Sequence, residues 1–238
     1  MTMTEFVFRE ESYRRTLEAE VLEVSPDGAI VFDRTIFYAN SGGQPGDTGR
    51  IATKDKVVTI VNTVHPEGDK TRIVHVPAEG AGSVSVGERV GMEIDWDRRY
   101  RLMRMHTALH LVTVVFPFPI TGAAVGEDKG RVDFDMPEVP ADLAEREQRL
   151  NDLVAADLPV TSEWISDEEL LANPSLIKTM TVRPPMGLGR VRLVRIGEID
   201  LQPCGGTHVA STREVGSLRL GKIEKKGAQN RRVSVLFV

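Results

Sequence analysis

The stretch DWDRRYRLMRMHTALHLVTVV, residues 95–115, separates two parts of the chain that differ in character. An aspartate at its start can cap a helix that runs from Arg98 to about Val115, and two prolines just beyond would end it. Apolar residues recur along this helix at spacings of three and four, which predicts one buried stripe. The stripe consists of Leu102, Met105, Leu109 and Val112.

Two histidines of this helix, His106 and His110, border the stripe and are spaced four residues apart. Residues at this spacing lie on one helix face with their Cβ atoms about 5–6 Å apart, so both imidazoles can reach one metal ion. The same spacing is also common where one histidine lies at the edge of the core and the other on the surface. The pair alone therefore leaves both interpretations open.

A second motif, Cys204-Gly-Gly-Thr-His208, contains the only cysteine of the chain and another histidine. Only two of the five histidines, His65 and His75, lie outside the two motifs. A thiolate and three imidazoles form a ligand set that suits zinc better than calcium or magnesium. The two motifs together predict one metal site at His106, His110, Cys204 and His208.

Residues 1–94 show short β-prone runs separated by turn signals such as Ser25-Pro26-Asp27-Gly28. No helix is expected there except within the first fifteen residues. This pattern predicts a small antiparallel β-domain, most simply a barrel. The expected strands are Glu18–Val24, Ala29–Phe32, Val57–Val64, Arg72–Val76 and Val90–Ile94.

Residues 95–238 are expected to form an α+β domain with an antiparallel sheet and the metal-bearing helix. A capping-box sequence that begins at Ser166 predicts a further short helix, and the Cys204 motif should follow the strand Val191–Ile196. The other expected elements are a hairpin over Ala124–Asp135, a helix over Pro140–Ala156, and strands at Val215–Glu224 and Arg231–Phe237.

A glycine-rich segment, Tyr38–Gly49, lies within the β-domain. Glycine allows a backbone to approach a ligand closely or to take positive φ. The segment is not a phosphate-binding P-loop, because no Gly-Lys-Ser/Thr follows it and no helix begins after it. A ligand-binding loop and a plain turn between strands explain it equally well.

Composition and charge narrow the class of protein. The 238 residues are 41% hydrophobic and 27% charged, which is typical of a globular protein with a core. The net charge of −5 argues against broad, nonspecific binding of nucleic acid. Basic residues nevertheless cluster before His106 and near the C-terminus, which suits a substrate that carries phosphate. The first cluster is Arg98, Arg99, Arg101 and Arg104, and the second is Lys222, Lys225, Lys226, Arg231 and Arg232.

A cytoplasmic location fits the remaining features. A single cysteine excludes an internal disulfide and favours a reducing compartment, in which a thiolate stays free to bind metal. The N-terminal residues lack the order of a signal peptide, and no apolar run is long enough to span a membrane.

Three motifs, SGGQPGDTG (41–49), HTALHL (106–111) and CGGTHV (204–209), occur in an order that resembles the editing domain of alanyl-tRNA synthetase. The resemblance covers nearly the whole chain and leaves no room for an aminoacylation domain. The chain is therefore similar to a free-standing editing protein of the AlaX type, of medium length.

The resemblance implies hydrolysis of the ester that joins a wrong amino acid, serine or glycine, to the 3′ end of alanine tRNA. It implies zinc at His106, His110, Cys204 and His208, with His106 and His208 also counted among the catalytic residues. It further implies that Thr48 and Gln44 contact the aminoacyl group. Ester hydrolysis needs a positioned water and stabilisation of an oxyanion, and zinc can supply both.

Alternatives stay open at this point. Four protein ligands would close a tetrahedral zinc site, whereas a catalytic site keeps one position open. His208 could bind weakly, the coordination could expand, or zinc could orient the substrate while a separate water attacks. A zinc-stabilised tRNA-binding module without activity is the main rival function. A zinc peptidase is disfavoured because Thr107 stands where HExxH requires glutamate.

Overall fold

The computed structural model describes residues 3–180 and 189–238. The chain divides into two compact units, Met1–Tyr100 and Arg101–Val238.

The first unit is a closed six-stranded barrel in the order β2-β3-β7-β6-β5-β8, with every neighbouring pair antiparallel. The strands β1 and β4 form a short parallel pair outside it. The predicted β-barrel is thus confirmed. The strands are β1 (Glu5–Phe6), β2 (Thr16–Val24), β3 (Ile30–Phe32), β4 (Arg34–Thr35), β5 (Gly49–Ala52), β6 (Val57–Val64), β7 (Val74–Pro77) and β8 (Arg89–Ile94).

Alternation of buried and exposed residues explains why these segments form barrel strands. In β2 the buried side chains are Leu17, Ala19 and Val21, every second residue along the strand. Because successive side chains of a strand point to opposite faces, this period places one face inward. The N-terminal region contains only a single 3₁₀ turn, Val7–Arg9, rather than a longer helix.

The long helix α1 spans Trp96–Val115, and its start is capped as predicted. The Asp95 carboxylate accepts a hydrogen bond from the backbone N–H of Arg98 at 3.3 Å. The predicted single buried stripe is too narrow, because every residue from Leu102 to Thr113 except half-buried Arg104 is buried. The helix is enclosed over most of its circumference.

The second unit is α+β with two antiparallel sheets, as predicted. One sheet has the order β14-β16-β10-β9, with β15 also paired to β16, and the other has the order β11-β12-β13. The elements are β9 (Ile120–Ala124), β10 (Lys129–Asp135), α2 (Leu143–Ala155), β11 (Val160–Ser166), α3 (Asp167–Ala172), β12 (Arg190–Ile196), β13 (Asp200–Pro203), β14 (Leu218–Leu220), β15 (Glu224–Lys225) and β16 (Asn230–Phe237).

Local predictions in this unit have mixed outcomes. The β9–β10 hairpin forms, and both hydrogen bonds of the capping box at Ser166 are present. The single strand predicted at Val215–Glu224 is wrong. A 3₁₀ turn ends at Val215, and Gly216 follows with φ of +76°, so pairing begins only at Leu218.

Candidate metal centre

The helix α1 supplies two of the four predicted ligands. The rings of His106 and His110 lie with centroids 5.4 Å apart, as expected for residues one helical turn apart. Their exposed fractions are only 7% and 6%. Neither histidine is therefore a surface group, which removes the plainer interpretation of this pair.

The other two ligands lie in the loop that directly follows β13. The backbone N–H of Cys204 donates to the Arg192 carbonyl of β12 at 3.0 Å, so Cys204 continues the ladder between these strands. The Arg192 guanidinium donates back to the carbonyls of Cys204 and Gly206 at 3.1 and 2.9 Å. These bonds fix the first turn of the loop and aim both the thiol and His208 at α1.

The side chains of the four predicted ligands converge, so that their donor atoms lie close together. One nitrogen from each histidine and Sγ of Cys204 all lie within 4.8 Å of one another. Sγ is 3.5 Å from Nε2 of His106 and 3.3 Å from Nε2 of His208. Ligand atoms around a tetrahedral zinc are roughly 3.3–3.8 Å apart, given bond lengths near 2.1 and 2.3 Å. The donor atoms thus have the chemistry that a metal ion of this kind requires, and the two distances from Sγ match its spacing.

Electrostatics favour the ligating forms of two of these side chains. Burial raises the pKa of the Cys204 thiol, but the neighbouring imidazoles of His106 and His208 outweigh burial and hold this pKa well below its usual range. Burial and the charge of His106 lower the pKa of His208 to about 3. A thiolate and a neutral imidazole are the forms that bind metal.

A buried carboxylate supports one ligand from outside the cluster. Oδ2 of Asp200 lies 3.0 Å from Nδ1 of His110, and Oδ1 pairs with Nζ of Lys178. Burial lowers the pKa of His110, but the hydrogen bonds with Asp200 and Cys204 outweigh it and raise this pKa to about 9. Burial raises the pKa of Asp200, yet His110 and Lys178 bring it down to about 2.

Asp200 and Lys178 were not among the residues singled out from sequence. Asp200 stands four residues before Cys204 at the start of β13, which is a weak signal without knowledge of that strand. Lys178 lies 22 residues from Asp200, and no local pattern connects the two.

The glycine-rich segment, in the barrel unit, is held by its own packing. Gly42 and Gly43 both have positive φ, +56° and +84°, and join Ser41 to Gln44 in a tight hairpin turn. A Cβ at Gly46 would lie 2.0 Å from the Thr63 carbonyl oxygen. Positive φ at Gly42 and Gly43 and the close backbone contact at Gly46 therefore explain why these positions require glycine.

Asp47 anchors the same segment through a buried ion pair. Its carboxylate contacts Nε of Arg99 at 3.0 and 2.9 Å and accepts from the Tyr38 N–H at 2.6 Å. The Arg99 and Asp47 side chains are 0% and 1% exposed. Of the two predicted substrate contacts in this loop, the Gln44 side chain is fully buried and Thr48 is half-buried.

The arginines before His106 are all engaged with the protein itself. Arg98 donates to the Gly46 carbonyl, Arg99 to Asp47, Arg101 to Asp128, and Arg104 to the Val215 carbonyl. In the C-terminal cluster, Arg232 pairs with Asp133 and Lys226 with Glu224. Carboxylates therefore balance part of this positive charge, at Arg99, Arg101, Lys226 and Arg232. Within the described residues, no helix is both long and apolar enough to cross a membrane.

Comparison with known protein families gives two partial matches. Residues 191–234 match the threonyl and alanyl tRNA synthetase second additional domain, and residues 7–98 match the class II (A) tRNA synthetases. The first range contains the Cys204 motif, and the second contains the glycine-rich segment.

Individual proteins match over nearly the whole chain. The alanyl-tRNA editing protein AlaX-M of Methanosarcina acetivorans is 37% identical, over 97% of this chain and 98% of its own length. The AlaX-M protein of Methanosarcina barkeri is 36% identical, over 99% of this chain and 100% of its own length. The alanine–tRNA ligase of Pyrobaculum calidifontis is 36% identical over 93% of this chain, which corresponds to 25% of the ligase.

Proposed function

Since the chain belongs to the family of alanyl-tRNA editing proteins of the AlaX-M type, we propose that it hydrolyses the ester of alanine tRNA wrongly charged with serine or glycine. The observation that carries this proposal is the buried group of three histidines and one cysteine, whose donor atoms converge within 4.8 Å. We place this activity in the cytoplasm, where the single cysteine stays reduced.

We propose zinc as the metal and His106, His110, Cys204 and His208 as its ligands. A mixed nitrogen and sulfur donor set supports zinc over calcium or magnesium, which prefer oxygen ligands. Bound zinc supplies Lewis acidity for the ester carbonyl. Nε2 of His106 and Nε2 of His208 lie 3.5 and 3.3 Å from Sγ of Cys204, and we assign these two histidines to the reacting side of the site.

Selection of the amino acid is assigned to the glycine-rich segment. Thr48 is half-buried, and among the described residues none hydrogen-bonds its hydroxyl. A site that hydrogen-bonds a substrate hydroxyl rejects an analogue that lacks it much more strongly than an apolar pocket rejects a methylene. Thr48 is therefore the proposed partner of the serine hydroxyl, and Gln44, whose side chain is buried, is the second candidate contact to the aminoacyl group in this segment.

The decisive experiment is a deacylation assay with purified protein and alanine tRNA charged with serine, glycine or alanine. Serine or glycine should be released faster than in buffer, and alanine should be retained. Cys204→Ala should lose most of this release. His65→Ala serves as the matched control, because His65 lies outside the cluster and its Nδ1 contacts the Arg72 carbonyl at 2.8 Å.

The rival function, a zinc-stabilised tRNA-binding module, predicts a different result in the same assay. Charged tRNA would bind, while amino acid would be released no faster than in buffer, and that result would reject hydrolysis. A peptidase mechanism finds no support at Thr107, the position where a general base would stand. Its hydroxyl lies 3.1 Å from Nδ1 of His208 and is committed to that ligand.

A further inference from the structure

Asp200 is a fully buried carboxylate, and hydrogen-bond donors occupy both its oxygen atoms. Oδ2 lies 3.0 Å from Nδ1 of His110 and accepts from Nε2 of Gln202 at 2.8 Å. Oδ1 forms an ion pair with Nζ of Lys178. An isolated buried carboxylate is costly, and these three donors offset that cost.

The contact with Asp200 determines which nitrogen of His110 can bind metal. An ionised carboxylate only accepts hydrogen bonds, so Nδ1 of His110 must carry the proton. In the neutral form of the ring, which is the form that binds metal, the lone pair then resides on Nε2, on the side of the ring away from Asp200. A carboxylate behind a metal-binding histidine commonly fixes its tautomer and orientation in this way.

Gln202 and Thr113 extend the contacts around Asp200 and His110. Nε2 of Gln202 also lies 3.1 Å from Nδ1 of His110, but two donors do not form a hydrogen bond. The same amide reaches Oγ1 of Thr113 at 3.3 Å, and the Thr113 hydroxyl donates to the His110 carbonyl at 2.8 Å. Gln202 thus donates to Asp200 and to Thr113, and Thr113 donates to the His110 backbone, so these side chains are connected around Asp200.

Lys178 is brought to this network by its backbone. Its carbonyl accepts from the N–H of Ile120, the first residue of β9, at 2.9 Å. The Lys178 side chain is 29% exposed, so its stem reaches inward from the rim of the site while Asp200 is wholly enclosed. The ammonium group of Lys178 thus neutralises the Asp200 carboxylate, which is not exposed to solvent.

We propose that Asp200, held in place by Lys178, is a positioning residue that keeps His110 in its Nε2-ligating form and thereby sets the metal affinity of the site. This inference rests on the metal site of the proposed function. Asp200 acts through His110 and is not itself a ligand.

The test is zinc affinity, measured on metal-free protein by competition with a chromophoric chelator, for the wild type, Asp200→Asn and Lys178→Met. Asp133→Asn is the matched control, because Asp133 is also a carboxylate bound by two cationic side chains, Arg131 and Arg232. Spectra of the cobalt-loaded proteins report the ligand field directly, and circular dichroism reports folding.

Asp200→Asn should bind zinc ten- to a hundredfold more weakly, as losses of such outer partners typically do. Lys178→Met should show a smaller loss of at least threefold, and the cobalt spectrum should change in both variants. Asp133→Asn should bind like the wild type.

An affinity of Asp200→Asn within twofold of the wild type, or an equal loss in Asp133→Asn, would overturn the inference. If Asp200→Asn does not fold, Lys178→Met decides, and an affinity within twofold of the wild type rejects the proposal. A wild type that binds no zinc would reject the metal site itself, and this inference with it.

Discussion

Thr107 and His208 are joined by a 3.1 Å contact between the threonine hydroxyl oxygen and Nδ1 of the histidine. The same oxygen accepts a hydrogen bond from the backbone N–H of Val209 at 3.3 Å. Thr107 lies on α1 between two ligands, so this contact ties the helix to the loop that carries the other two. A histidine that binds metal through Nε2 has its Nδ1 proton directed at such an acceptor.

Thr107→Val should therefore destabilise the protein by about 1–3 kcal/mol, because it leaves two buried donors without an acceptor while it keeps the side-chain volume. Urea unfolding measures this loss. Thr59→Val is the control, since Thr59 is exposed on β6 and should change stability by no more than about 0.5 kcal/mol. Equal stabilities of the Thr107 variant and the wild type would show that the contact contributes nothing.

Thr48→Val should lower the rate of serine release from charged alanine tRNA about tenfold, because one hydrogen bond to the substrate hydroxyl is lost. Thr48→Ser keeps the hydroxyl and should retain most of the activity. The ratio of serine to alanine release is the measurement that separates selectivity from general damage. An unchanged ratio in Thr48→Val would remove Thr48 from the proposed pocket.

Asp47→Asn should destabilise the protein by about 3–5 kcal/mol, since it leaves the wholly buried guanidinium of Arg99 without its counterion. The exposed pair Arg50–Glu93 gives a matched control, because both its side chains are about half exposed. Glu93→Gln should cost less than about 1 kcal/mol. Comparable losses for the two variants, measured by chemical denaturation, would contradict this difference between buried and exposed pairs.

His75 should make stability depend on pH. Burial lowers the pKa of His75 to about 4, against a backbone hydrogen bond to Ile30 that raises it slightly. The unfolded chain takes up a proton below about 6.5 and the folded chain only below about 4, so this contribution is lost as pH falls. Its size between these limits is about 3 kcal/mol.

The comparison that isolates this effect is the free energy of unfolding of the wild type and His75→Phe from pH 7 to pH 4. Other groups titrate similarly in both proteins, so the difference in slope reports His75. The wild type should lose more stability than the variant as the solution is acidified. Parallel curves would show that His75 does not carry the effect.

The architecture was largely predictable because its signals are local. Asp95 caps α1 as its side chain and position require, and the period-two pattern of β2 needs only its own residues. The strand β13 was missed because Asp-Leu-Gln-Pro has weak strand propensity and pairs only through tertiary context. Gly216 shows the reverse case, in which a positive φ interrupts a run that otherwise favours a strand.

The group of four candidate ligands could be predicted because they lie in two compact motifs, whereas the side chains that contact them could not. Lys178 and Asp200 meet only after the chain has folded, and nothing in the intervening residues indicates their pairing. The arginines before His106 also have partners that the sequence does not indicate. A sequence does not reveal that Arg99 ends in a buried ion pair or that Arg104 ends on a backbone carbonyl.

The proposed metal ligands come from two points of the chain that are about ninety residues apart, between His110 and Cys204. An ion held by both motifs is therefore a crosslink that closes a large loop. Restricting an unfolded chain by a link of this span reduces its entropy by the equivalent of about 4–5 kcal/mol in the loop-closure model. Removal of the metal should therefore lower the free energy of unfolding of the whole second unit. The effect should extend well beyond the four residues that would bind the ion.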